Sequence, residues 1–244
     1  MISGWNLRYL EIQKEFGYDK KQDLESAMLL NSMLTESNSL DRIQELINSK
    51  TVFVIGSGPS LSHAIPFLKK FKKITKIVAD SALKTIIENG INPDIVVTDL
   101  DGDEKSLKKT GKTKTVFVVH AHGDNISKLQ LVEHFKNWIG TTQTKPVGKI
   151  QDFGGFTDGD RSVFLANHFD AKKIVLFGMD FGDRIGKFSN TKSSERKIKV
   201  KKLKKAKSLL EWLSKKSNSE LFTTSKPING FKKIELQELD IIIT

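Results

Sequence analysis

Two spacings of hydrophobic residues divide the chain. Over residues 1–50, Leu24, Ala27, Met28, Leu30 and Leu34 recur at three- and four-residue steps, and Leu40, Ile43, Leu46 and Ile47 form a second stripe. That periodicity predicts amphipathic helices, the second capped by Ser39 or Asp41. From residue 51 the pattern changes to short continuous runs: TVFVI (51–55), KIVA (76–79), DIVVT (94–98), TVFVV (115–119) and KIVLF (173–177), with KIQDFGG (149–155) a weaker sixth. Continuous rather than alternating apolar runs predict strands buried on both faces. SALKTIIENG (81–90), residues 126–138 and residues 161–169 read as helices between them. The alternation predicts an α/β fold with a mostly parallel sheet and helices on both faces.

Residues 183–192 read as a loop, and Val200, Leu203, Ala206, Leu210 and Leu213 then mark one face of a helix. The closing ELDIIIT reads as a final edge strand. The expected organisation is a helical segment over 1–50, an α/β core over 51–191, and a basic helix with a final strand over 192–244.

Composition narrows the chemistry. The 244 residues contain no cysteine, which excludes thiolate zinc sites, iron–sulfur clusters and a cysteine nucleophile. No apolar run approaches the roughly 20 residues that span a bilayer, and the first residues lack a signal-peptide pattern. A soluble cytoplasmic protein is expected. The net charge is +11, but residues 192–216 alone hold eleven Lys/Arg against Glu195 and Glu211, so the remainder is near neutral. This segment reads as a solvated helix docked on the body or as a lysine-bearing flap over a polyanion. A nucleic-acid-binding protein using this helix is a further reading. It leaves a set of acidic residues elsewhere unexplained.

Those acids stand where ligands bind in open α/β sheets, beyond the carboxyl ends of the strands. The first strand exits into Gly56, Ser57, Gly58, Pro59 and Ser60, a turn suited to phosphate or simply to a tight strand–helix connection; Leu61 stands where a dinucleotide fingerprint needs glycine. The second strand exits at Asp80 and the third at Asp99, Asp101 and Asp103. Carboxylates packed this closely repel one another unless a cation sits among them, and hard oxygen ligands suit Mg²⁺ carried on substrate phosphates. An EF-hand is excluded, because its twelfth position from Asp99 is Thr110. The fourth strand exits into His120, His122, Gly123, Asp124 and Asn125; Asn125 replaces the last histidine of a dizinc hydrolase motif, so the histidines are expected to position phosphates or carboxylates. GKT (111–113) is not a P-loop, since Ser106 replaces its first glycine. Gly154 to Arg161 read as a turn feeding a helix, with Thr157 or Asp158 as cap and Arg161 able to pair with phosphate.

VADSALKTIIENGINPDIVVTDLDGD resembles the signature of thiamin pyrophosphokinases, although Ser81-Ala82 follow Asp80 where that family has two glycines. The chain is more similar to the archaeal pyrophosphokinases acting on hydroxymethyldihydropterin. GSGPSL, DLDGD, HAHGDN, Gly140-Thr141-Thr142-Gln143, GFTDGDR and GMDFG occur in that family's order over residues 56–182. The resemblance implies a Rossmann-like sheet and ATP- and Mg²⁺-dependent diphosphoryl transfer to 6-hydroxymethyl-7,8-dihydropterin, with AMP released, in folate- or methanopterin-type cofactor synthesis. It implies Mg²⁺ on Asp80, Asp99 and Asp101, with Asp103 or Asp124 as a further ligand. It further implies catalytic roles for Asp99, Asp101 and Asp103. ATP or its phosphates would meet Gly56–Ser60, His120, His122, Gly123, Asp124, Asn125, Gly155, Phe156, Thr157, Asp158, Asp160 and Arg161. Small molecules are the expected partners, with no membrane; a homo-oligomer is compatible with this reading. The alternatives are thiamin pyrophosphorylation, or a sugar or nucleotide transferase related to flagellar glycosylation proteins, which share the GSGPSL segment.

Overall fold

Eight parallel strands form one sheet in the computed structural model, which describes residues 2–34, 39–182 and 196–243. They are β1 (Thr51–Ile55), β2 (Thr75–Ala79), β3 (Ile95–Thr98), β4 (Val116–Ala121), β5 (Trp138–Thr142), β6 (Lys173–Phe177), β7 (Glu220–Thr223) and β8 (Lys232–Lys233). Their order is β5-β4-β3-β2-β1-β6-β7-β8. The helices are α1 (Trp5–Phe16), α2 (Lys20–Met33), α3 (Ser39–Ile47), α4 (Leu61–Lys70), α5 (Asp80–Glu88), α6 (Glu104–Gly111), α7 (Asp158–His168), α8 (Arg196–Ser214) and α9 (Leu239–Ile243).

Successive strand residues point to opposite faces, and both faces are covered. Val52 and Val54 of β1 pack with Trp5, Ile43, Phe164 and Leu210 from α1, α3, α7 and α8. Phe53 and Ile55 pack on the other side with Leu30, Leu68, Ile86 and Leu107 from α2, α4, α5 and α6. This two-sided burial is why the strand sequences are continuously apolar. The fold is α/β, as the alternation predicts, and Rossmann-like, as the resemblance implies.

Several elements differ from the sequence-based expectation. Residues 149–155 form no strand; they make one parallel bridge, Gln151 with Thr141. Asp152 Oδ1 accepts the Gly154 N–H at 2.9 Å, and Gly154 and Gly155 have φ of 90° and 92°, so the chain turns away from the sheet. The stretch expected to be α-helical over 126–138 is a 3₁₀ helix, Gly123–His134, followed by β5. Leu129, Val132 and Phe135 are buried at three-residue spacing, the 3₁₀ repeat. The expected terminal strand is instead α9; Leu239 is buried at its start, and Lys173 Nζ donates to the Ile242 carbonyl at 2.7 Å. The strands of the C-terminal segment are β7 and β8. The loop expected over 183–192 lies outside the described residues. No helix among the described residues is long and apolar enough to cross a membrane.

Candidate active site

β1 and β6 are neighbours, and the strand order runs outward in opposite senses from them, which opens a crevice at their carboxyl ends. The two exits are stitched together there. Gly56 N–H donates to the Phe177 carbonyl at 2.8 Å and Gly58 N–H to the Gly178 carbonyl at 2.7 Å. A Cβ on Gly178, whose φ is 61°, would fall 2.2 Å from the Gly56 oxygen, so only glycine permits this approach. Asp180 Oδ2 accepts from both the N–H and the hydroxyl of Ser60, each at 3.0 Å. Three backbone donors of the Gly56–Ser60 turn are therefore engaged inside the protein, and Ser57 shares a hydrogen bond with Ser81 at 2.8 Å.

Beside this junction four carboxylates converge. Asp80 starts α5 directly after β2, Asp99 and Asp101 follow β3, and Asp158 starts α7. One oxygen from each lies within 4.8 Å of one from every other. Local geometry forces the approach. Leu100 has a left-handed φ of 67°, uncommon for a non-glycine residue, and its N–H is held by Thr98 Oγ1 at 2.8 Å. Asp80 Oδ2 accepts from the Thr98 hydroxyl and from the Gly102 N–H at 3.1 Å. Any side chain at position 102 would overlap Asp80 Oδ1, which lies 1.7 Å from an ideal Cβ there.

The electrostatics are those of a crowded anionic site. Burial, with the charges of Asp99 and Asp101, pushes Asp80 up to about 7 despite its hydrogen bond from Thr98. Burial and Asp99 push Asp101 up to about 6. Burial also lifts Asp158 well above the carboxylate range, with Asp99 adding to it. Asp99 moves the other way: burial opposes its charge, but His122, with Nε2 at 3.5 Å, and Arg161 outweigh burial and hold it ionised. The buried Oδ1 atoms of Asp80, Asp99 and Asp158 accept no hydrogen bond. Hard oxygens, uncompensated charge and unsatisfied buried lone pairs together fit a divalent cation.

Other residues singled out in the sequence are placed around this group. Asp103 lies outside the four: its Oδ1 caps α6 through the N–H and hydroxyl of Ser106, at 2.9 and 2.7 Å, and Lys84 stands 3.8 Å away. Asp124 is also outside, with its side chain 74% exposed and His122 Nδ1 at 3.8 Å. Asp158 completes the cluster in its place. Asn125 is a buried staple, donating to the carbonyls of Asp99 and His120 at 2.8 and 2.7 Å. His120 is buried against Thr141 Oγ1, 3.2 Å from Nδ1, and desolvation lowers its pKa well below that of a free imidazole. Asp160 caps the turn before α7, accepting from the Phe156 and Thr157 N–H groups at 2.7 Å each. A Cβ on Gly155 would meet Arg161 Cα at 2.5 Å. Arg161 points Nη1 at Asp158 from 3.5 Å and donates Nη2 to Gln143 Oε1 at 3.0 Å.

That arrangement rests on a residue with no signal in the sequence. Asp23 of α2 is buried and accepts from Gln143 Nε2 at 3.1 Å, Tyr9 hydroxyl at 2.7 Å and Gly123 N–H at 2.9 Å. The N-terminal helices thus brace the Gln143–Arg161–Asp158 line. The cleft above the carboxylates has a volume of about 1170 Å³. It extends between α4 and α5 past Ile65 and Thr85, and on its other side meets Phe156 and the α8 residues Lys199, Lys202 and Leu203.

Comparisons with known proteins agree with one another. The 6-hydroxymethyl-7,8-dihydropterin pyrophosphokinase of Methanocaldococcus jannaschii is 42% identical over 88% of this chain and 97% of its own length. The protein of the same name from Pyrococcus furiosus is 45% identical over 91% and 97%. That of Methanothermobacter thermautotrophicus is 39% identical over 88% and 95%. Among solved structures, the MAf glycosyltransferase of Magnetospirillum magneticum aligns with a TM-score of 0.60 at 15% identity, over 82% of this chain and 38% of its own, a likeness of fold. Residues 27–186 match the model of the MptE-like 6-hydroxymethylpterin diphosphokinases. On that match and these three relatives, the chain belongs to the MptE-like 6-hydroxymethylpterin diphosphokinase family, whose members are ATP-dependent diphosphotransferases.

Proposed function

We propose that this chain transfers the terminal diphosphoryl group of ATP to the hydroxymethyl oxygen of 6-hydroxymethyl-7,8-dihydropterin. The hydroxyl oxygen attacks the β-phosphorus, the bond from that phosphorus to the α–β bridging oxygen breaks, and AMP leaves with a proton released. The observation that carries the reading is the group of four carboxylates, within 4.8 Å of one another, at the sheet's carboxyl edge in a cleft large enough for two small substrates. Such chemistry depends on positioning and charge neutralisation rather than on a strong nucleophile.

Asp80, Asp99, Asp101 and Asp158 would hold Mg²⁺, which when bound neutralises charge on the phosphate oxygens. The protein's own part is to keep these acids in place and to hold Asp99 ionised, while burial leaves Asp80, Asp101 and Asp158 short of countercharge until a cation binds. Thr98 and Gly102 fix the Asp80 carboxylate from one side, leaving Oδ1 facing the cluster. His122 keeps Asp99 charged, and Asn125 anchors the backbone of both Asp99 and His120. Arg161, itself held by Gln143, sets a cation against Asp158. His120, kept neutral by burial, fills the space beneath without adding charge.

Incubating the protein and Mg-ATP with 6-hydroxymethyl-7,8-dihydropterin, thiamin or a sugar acceptor, and weighing the products by mass spectrometry, tests the reading. A pterin carrying one added diphosphoryl group is the expected product. Diphosphorylated thiamin, or transfer of a sugar, would replace it with one of the alternatives.

A further inference from the structure

The inward face of α8 changes chemistry along its length. Ala206, Leu209, Leu210 and Leu213 are buried against the sheet. The same face continues toward the helix start through Leu203 and Lys202, three and four residues before Ala206, and then Lys199, and there it overhangs the cleft instead of packed side chains. Two lysines therefore occupy positions that on this face are otherwise apolar. Packing of the core gives no reason for them.

Three lysines on other faces of α8 are paired, two with the body of the protein and one within the helix. Lys205 lies 2.5 Å and Lys201 3.7 Å from the Glu15 carboxylate of α1, and Lys207 is 3.6 Å from Glu211. Lys199 and Lys202 make no ion pair with a carboxylate among the described residues. Lys202 Nζ instead sits 5.7 Å from the Tyr18 ring and 6.0 Å from the Phe156 ring, contacts that hold an ammonium without neutralising it. Lys199 stands near enough to Asp101 to favour its ionised form. Both lysines thus face the four carboxylates across the cleft, with their charge available to a ligand bound between.

We infer that Lys199 and Lys202 bind the triphosphate of ATP from the side opposite Asp80, Asp99, Asp101 and Asp158, an assignment that rests on the diphosphotransferase reading of this cleft. The ion pair of Lys205 with Glu15 ties α8 to α1 beside this face. Lysine suits the task as a compact charge that follows a phosphate chain whose geometry changes during transfer.

The test is calorimetric titration of the whole chain with inorganic tripolyphosphate in the presence of Mg²⁺. Wild type is compared with the double variant Lys199→Ala/Lys202→Ala, with Lys199→Arg/Lys202→Arg, and with Lys201→Ala. Charge-assisted contacts are each worth about tenfold to a hundredfold in affinity. The double alanine variant is expected to lose roughly 100-fold or more, the arginine variant to recover most of it, and Lys201→Ala to bind as wild type. Equal affinity in wild type and the double alanine variant overturns the inference, as does an equal loss in Lys201→Ala, which would reduce the effect to net charge. Absence of tripolyphosphate binding by wild type overturns it too. The acceptor plays no part in this titration, so a pterin that fails to react would leave its outcome readable. In turnover, the double alanine variant should raise KM for ATP and leave KM for the acceptor unchanged.

Discussion

Replacing Asp80 by asparagine should make the metal-free protein more stable above neutral pH while abolishing its activity. Asp80 is 1% exposed and its pKa is raised to about 7, chiefly by burial. An unfolded aspartate titrates near 3.9. The native state therefore holds this proton more tightly than the unfolded state. The stability that protonation contributes is complete below about pH 4 and is lost as pH rises through about 7. A rise from the unfolded value to about 7 corresponds to about 4 kcal/mol by pH 8 as an upper figure. Asparagine keeps its Oδ1 as acceptor for Thr98 and Gly102 and places an uncharged amide toward the other three carboxylates. For a chain of this length such a gain raises Tm by roughly 8–16 °C. The assay is thermal unfolding of both chains in a chelator at pH 4 and pH 8, then with Mg²⁺ at pH 8. The two should melt together at pH 4, with the variant higher at pH 8 in chelator. Mg²⁺ should raise only the wild type, by about 2.7 kcal/mol at one hundred times Kd. A variant that melts below wild type at pH 8 in chelator would refute the reasoning, because Asp80 would then act mainly as a hydrogen-bond acceptor.

Further outcomes follow from the same geometry. Asp101→Asn, at the exposed member of the cluster, should lower kcat/KM by about 100-fold or more without lowering Tm, since it removes a carboxylate that burial and Asp99 already disfavour as an anion. Gly178→Ala places a Cβ 2.2 Å from the Gly56 oxygen at a φ of 61°, and should cost about 3 kcal/mol of stability in chemical denaturation. Asp23→Ala, which strands Tyr9, Gln143 and the Gly123 N–H, should lose about 3 kcal/mol, read by the same method. Arg161→Met should reduce kcat by about 10- to 100-fold with little change in ATP affinity; a loss confined to KM would place Arg161 on the nucleotide instead of on Asp158.

The parts of the fold legible in the sequence were those decided locally. β1 to β4 and β6 are apolar because both faces are covered, and that leaves a continuous hydrophobic run. β5 escaped detection since Gly140 interrupts WIGTT and a helix-like stretch leads into it. The two lysines that form β8 carry no strand signal at all. The three isoleucines near the end are β-branched and read as strand, yet the chain there is held helical by tertiary contacts such as Lys173 with the Ile242 carbonyl. At the site, strand exits drew attention to Asp80, Asp99, Asp101 and Asp158. Only folding decides that Asp158 joins the other three while Asp124 faces solvent. Asp23 lies on a helix with no motif near it. Lys199 and Lys202 cannot be told from their paired neighbours until the direction of α8 is known.

The most direct test of the central reading is the nucleotide product. The protein is incubated with Mg-ATP and 6-hydroxymethyl-7,8-dihydropterin, and AMP and ADP are separated by chromatography. AMP formed only when the pterin is present, in amounts equal to the diphosphorylated pterin, is the expected result. ADP in its place, or AMP released at the same rate without acceptor, would contradict diphosphoryl transfer at this site.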